Sequence, residues 1–148
     1  MIKKATLSAH GSWEDNLRNE VKVRDLTPFI VDEPERLGGT NAGPNPLEYF
    51  LGALSSCTSI VTAMVAKEIG ITYDALEFFV DGELDPRGYQ GVEGVQTYFE
   101  TVALEIKIDT KADEEALQQL KEKVEQRCPL FNLLKDAGVA VQSQWNKI

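Results

Sequence analysis

One stretch limits what this chain can fold into: PNPLEYFLGALSSCTSIVTAMVAKEIG, from Pro44 to Gly70. Asn45 is a good helix N-cap, Pro46 suits the first helical position, and Glu48 falls three residues after the cap. The start therefore reads as a capping box with Asn in place of Ser or Thr. Gly70 supplies the stop. About 24 residues lie between these signals, roughly 36 Å of helix at ~1.5 Å per residue. After Glu48 no charged residue occurs before Lys67, and the positions between are apolar or small, with Ser and Thr interleaved. A helix with no polar face has to be covered on nearly every side. The uncharged run from Tyr49 to Ala66 approaches the ~20 residues of a bilayer crossing. Gly52, Ser55, Ser56, Thr58, Ser59 and Thr62 dilute it, and the rest of the chain is acidic. The expectation is a long central helix buried in protein rather than in a membrane.

The remainder of the chain reads as the material that covers this helix. Ile2 to Ala9 alternates around Ala5, Leu7 and Ala9 and predicts a strand; Gly11 to Asn16 reads as a turn. Arg18 to Arg24 and Phe29 to Val31 predict two further strands, and the close spacing suggests an antiparallel meander. Asp32 to Pro46 holds Gly38, Gly39, Gly43, Pro44 and Pro46, which mark a shaped loop delivering the chain to the helix. Beyond Gly70, Leu76 to Leu84 alternates, Asp85 to Gly94 is a glycine-rich excursion, and Tyr98 to Ile108 is the cleanest strand. That strand sets Val102, Leu104, Ile106 and Ile108 on one face. Asp113 to Gln126 predicts an amphipathic helix with a stripe at Leu117, Leu120 and Val124, and four residues further the stripe lands on Cys128. Pro129 restarts a short helix to Ala137, Gly138 stops it, and Val139 to Trp145 predicts a last strand. Strands, buried helix, strands, helices and strand make an α+β pattern. One sheet covers only part of a helix that is apolar all round, so a homodimer is expected to cover the rest.

Length and charge narrow the function. A chain of 148 residues is expected to be one domain, residues 1–148. A net charge of −9 speaks against nucleic acid or an anionic membrane surface as partner. The opening MIKKATLSAHGSWEDN has no apolar signal-like core, and a cytoplasmic protein is expected. A single histidine, His10, and no CxxC argue against a metal site, and no cofactor is expected.

Cys57, in the middle of the apolar helix, is the candidate nucleophile. A small buried hydrophobe is the plain alternative. Three and four residues away on the same face stand Ala53, Leu54, Ile60 and Val61, a dry environment that opposes ionisation. An activating cation would have to come from another element, with Arg18, Arg24 and Arg36 as candidates. Cys128, at the joint between two helices, reads equally as a core position.

GTNAGPNPLEYFLGALSSCTS, followed by an apolar helix and much later by RCP, resembles the OsmC/Ohr family of thiol-dependent peroxidases, over most of the chain from about Arg18 to Trp145. The resemblance implies an α+β fold with antiparallel sheets wrapped around a long buried central helix, in an intertwined homodimer. It implies reduction of organic hydroperoxides, with Cys57 matching the peroxidatic and Cys128 the resolving cysteine, and a dithiol reductant recycling their disulfide. Arg18 is the best match to the family's activating arginine. The peroxidases carry a Glu directly after the NP pair; here Leu47 stands there and the acid moves to Glu48, about 100° around the helix. Glu48 is carried as a catalytic candidate beside its capping role. The rival reading is a non-catalytic dimer of the same fold that binds a small apolar ligand at its interface.

Overall fold

The long helix starts where its capping residues put it. In the computed structural model, which describes all 148 residues, helix α1 runs Pro46–Ile69. Asn45 Oδ1 accepts from the Glu48 amide at 2.9 Å, and Glu48 Oε2 accepts from the Asn45 amide at 2.9 Å. Two orphan donors are thus satisfied reciprocally. Gly70 ends the helix at φ 76°, a left-handed conformation that favours glycine. The chain divides into two compact units, residues 1–50 and 51–148, with the boundary inside α1.

In the first unit, strands β1 (His10–Asp15), β2 (Arg18–Lys22) and β3 (Phe29–Val31) form an antiparallel sheet in that order. The meander is as expected, but its first strand is not at Ile2 to Ala9. Residues 1–9 carry no regular structure, and the stretch read as a turn is β1 itself. A two-residue turn at Asn16 and Leu17 fixes the register, with Asn16 left-handed at φ 49°. The partner of β2 must then be the residues just before that turn, and His10 faces Lys22. Alternation alone gives Ile2 to Ala9 no ladder to join.

The Gly/Pro-rich segment that follows β3 is wrapped around one carboxylate. Asp32 is 1% exposed and accepts from the amides of Glu33 (2.8 Å), Thr40 (3.1 Å) and Ala42 (3.1 Å), and from the Thr40 hydroxyl. The wrapping is tight enough to require glycine. A Cβ on Gly39 would stand 1.9 Å from the Glu33 carbonyl oxygen, and one on Gly43 2.2 Å from that of Ile30. Tyr49, in the first turns of α1, donates its hydroxyl to the Ile30 carbonyl at 2.8 Å, and its ring lies 5.1 Å from that of Phe29.

The second unit holds the core. Strands β4 (Tyr73–Glu83), β5 (Thr101–Thr110) and β6 (Ala140–Lys147) form one sheet in that order, and helices α2 (Glu114–Arg127) and α3 (Pro129–Asp136) connect β5 to β6. The four alternate residues of β5, Val102, Leu104, Ile106 and Ile108, are all buried. So is the α2 stripe of Leu117, Leu120 and Val124. Asp113 caps α2 by accepting from the Ala116 amide. The expectation of antiparallel sheets holds for β4 and β5, whereas β6 lies parallel to β5. A crossover through two helices returns the chain to the end from which β5 began, and parallel pairing is what such a crossover allows.

Helix α1 meets its burial requirement on one face only. Leu54, Thr58, Val61, Thr62, Val65 and Ala66 are buried. The threonines among them need no outside partner, because Thr58 and Thr62 donate to the carbonyls of Leu54 and Thr58 within the same helix, at 2.9 and 2.7 Å. The opposite stripe of Gly52, Ala53, Ser56, Ile60, Ala63 and Met64 is uncovered, with Ile60 62% and Met64 50% exposed.

The Asp32 carboxyl is held down from an ordinary 3.8 to about 2, first by the Thr40 hydroxyl and then by the three amides, against the opposing effect of burial. A depressed folded-state value favours the charged form, so its stabilisation is full above about pH 4 and is lost as pH falls towards 2. We expect Asp32→Asn to lower the unfolding midpoint at neutral pH and to flatten the loss of stability between pH 4 and 2. Thermal unfolding followed across that pH range measures both.

Candidate active site: a facing thiol pair

Cys57 sits near the middle of α1, half-buried, and Cys128 is buried at the joint between α2 and α3. The two residues are 71 apart in sequence, yet their sulfurs stand 3.1 Å apart, with the Cys128 thiol donating to Cys57 Sγ. Both are free thiols. A disulfide bond is about 2.05 Å long, so closure asks for a movement of only about 1 Å. Two ends of the fold deliver them. The α2 stripe turns Cys128 inward after Val124, and Cys57 lies one residue before the buried Thr58 on α1.

Pro129 shapes the immediate surroundings. Cys128 is at once the C-cap of α2 and the N-cap of α3, in an extended conformation at φ −72° and ψ 113°. The first turn of α3 begins beside the thiol pair, and the Leu130 amide there favours the charged form of Cys57. The net effect on Cys57 is nevertheless a raised pKa, pushed up to about 11. Burial is the largest cause, and the Cys128 thiol and its incipient charge add to it, while the Leu130 amide works in the opposite direction. As the pair stands, Cys57 is a neutral thiol at pH 7 that accepts from the Cys128 Sγ.

The other two candidates occupy different settings. Arg18 opens β2 in the first unit, where its Nε lies 2.6 Å from Glu14 Oε2 in an ion pair not aligned as a hydrogen bond. Glu48 is engaged in the capping box of α1. Two features of the thiol site escaped the reading of the sequence. Arg127, next to Cys128, reaches back 59 residues to Glu68 near the end of α1, Nη1 to Oε2 2.6 Å. Asn132 places its carboxamide against the carbonyls of the α2–α3 joint. The proline after Cys128 was the available signal for Asn132, since it removes a donor and leaves carbonyls to be satisfied.

The family model described as OsmC-like protein matches residues 39–144. The whole fold is similar to an OsmC-like protein from Mycoplasma pneumoniae, with TM-score 0.84 at 18% identity over 99% of both chains. It is also similar to an organic hydroperoxide resistance protein OsmC from Legionella pneumophila, with TM-score 0.75 at 20% identity over 98% of this chain and 99% of that one. A third likeness, at TM-score 0.77 and 23% identity over the full length of both, is to an organic hydroperoxide resistance protein from Elizabethkingia anophelis. No curated protein matches the sequence.

Because Cys128 contributes two of the three influences that raise the Cys57 thiol, its removal has a defined consequence. We expect Cys128→Ala to move the inflection of Cys57 alkylation down from about 11 towards 9.0. Iodoacetamide rates measured against pH provide the check, and an unmoved inflection would assign the whole effect to burial.

Proposed function

This chain belongs to the OsmC-like protein family, and on that premise we propose that it is a thiol-dependent peroxidase reducing organic hydroperoxides, with Cys57 peroxidatic and Cys128 resolving. The observation that carries the reading is the 3.1 Å separation of the two sulfurs, which stand 71 residues apart in the chain. Two of the similar structures are named for organic hydroperoxide resistance, which supports the choice of oxidant.

The chemistry balances with these groups and an external dithiol. The Cys57 thiolate attacks the outer peroxide oxygen, the O–O bond breaks, and the alkoxide leaves as alcohol after taking up a proton, with Cys57 now a sulfenic acid. Cys128 attacks the Cys57 sulfur, the S–O bond breaks, water leaves, and a Cys57–Cys128 disulfide remains. A dithiol reductant restores both thiols and is itself oxidised to a disulfide. In this reading Arg18 is the cation that favours the thiolate, and Glu14, its ion-pair partner, orients it where the family pattern has a Glu at the position of Leu47. Glu48 keeps its capping role. The protein works in the cytoplasm, where thiols are kept reduced.

The same reading includes a homodimer. The uncovered α1 stripe, with Ile60 and Met64 at its centre, is the surface a second copy would cover. A second reading, a non-catalytic dimer binding a small apolar ligand, draws its support from the neutral Cys57 thiol and from Leu47.

One equivalent of cumene hydroperoxide should convert the reduced protein to the intramolecular disulfide, read by mass spectrometry as the loss of two hydrogens. Cys57→Ser should abolish peroxide consumption, Cys128→Ser should stop after one turnover with Cys57 sulfenylated, and Arg18→Ala should slow the first step. Two free thiols after peroxide treatment would transfer the case to the ligand-binding reading. Light scattering at micromolar concentration should give twice the chain mass of 16.4 kDa, and Met64→Glu should shift it towards the monomer.

A further inference from the structure

The end of α2 leaves two carbonyls without their usual partners. In a continuing helix the Glu125 carbonyl would accept from residue 129 and the Gln126 carbonyl from residue 130. Residue 129 is proline and has no N–H. The Leu130 amide makes no bond to the Gln126 carbonyl and favours the charged form of Cys57 instead. Both carbonyls are taken by Asn132, whose Nδ2 stands 2.9 Å from the Glu125 oxygen and 3.2 Å from the Gln126 oxygen. The same nitrogen lies 2.9 Å from the Cys128 carbonyl oxygen, which also accepts from the Asn132 backbone amide at 3.1 Å. Two hydrogens are shared over three acceptors. One half-buried side chain therefore ties together the last turn of α2, Cys128 and the first turn of α3.

We propose that Asn132 is a positioning residue for the closing of the Cys57–Cys128 disulfide. By satisfying the joint's carbonyls it holds the Cys128 backbone extended, with its sulfur against Cys57, and it leaves the Leu130 amide free to face the same sulfur. Without it, the Gln126 carbonyl becomes the natural acceptor for Leu130. Turning that amide away would draw the start of α3 towards a continuous helix and carry Cys128 with it. The proposal deepens the peroxidase reading and rests on it for its role in turnover; the positioning itself is independent of the oxidant.

Asn132→Leu, which keeps the shape and removes the donors, is the first variant. In a glutathione redox buffer, without peroxide, the equilibrium constant for the Cys57–Cys128 disulfide should fall about tenfold, equivalent to about 30 mV for a two-electron couple. After one equivalent of cumene hydroperoxide, the Cys57 sulfenic acid should persist about tenfold longer, trapped by dimedone and counted by mass spectrometry. Asn132→Ser, whose shorter hydroxyl donates to one carbonyl at a time, should fall between Asn132→Leu and the unaltered protein, and it carries the comparison if Asn132→Leu does not fold. A disulfide equilibrium unchanged in the folded variants overturns the proposal. If the unaltered protein consumes no hydroperoxide, the peroxidase reading fails, while the glutathione titration still decides for or against Asn132.

Discussion

The second unit is arranged around one demand: helix α1 carries no polar face and has to be buried by something. Its inner stripe, Leu54, Val61, Val65 and Ala66, is buried in the second unit, as are the apolar faces of β5 and α2. That burial dictates where Cys57 goes, because a residue next to buried Thr58 is half-withdrawn from water whatever its chemistry. A dry thiol is a poor acid, and the raised Cys57 value is the electrostatic cost of this placement. Reactivity at such a position has to be supplied by groups brought from outside the helix. The Leu130 amide is one such group that the fold of this unit provides.

Much of this was legible in the sequence, and the parts that were share a property: they are periodic or punctuated. The α1 boundaries followed from Asn45, Pro46 and Gly70 to within a residue or two. The four buried positions of β5 and the three of α2 followed from alternation and a helical stripe, and the stripe's continuation placed Cys128 in the core. The family likeness was carried by the shaped loop, the NP start and the cysteine spacing. The first strand was misplaced for a physical reason: alternation in Ile2 to Ala9 is a local signal, whereas the pairing of β1 is decided by the Asn16–Leu17 turn. The parallel setting of β6 depends on the length of a crossover and leaves no mark within the strand itself.

The polar anchors were illegible for a different reason. Asp32 reads as one more acid in an acidic chain, and Asn132 as one more polar position in the short helix after Pro129. Their roles come from how many backbone groups converge on them, which is a property of three-dimensional geometry. The sequence does contain the demand that they answer: a glycine-rich loop has amides to satisfy, and a proline after a helix leaves carbonyls open. What it does not contain is which side chain answers. Glu48 is the opposite case, since a capping box is local and its two partners are three residues apart.

The loop around Asp32 also has a consequence in time. Three amides and a hydroxyl meet at one carboxylate, so none of them can leave far without loosening the others. Glycines let the loop lie against the Glu33 and Ile30 carbonyls, closer than any side chain would allow. A segment rich in glycine and proline, of a composition usually associated with slack, is therefore built to open as one cooperative piece. Between openings the Glu33, Thr40 and Ala42 amides share a single clock, set by the one carboxylate they meet.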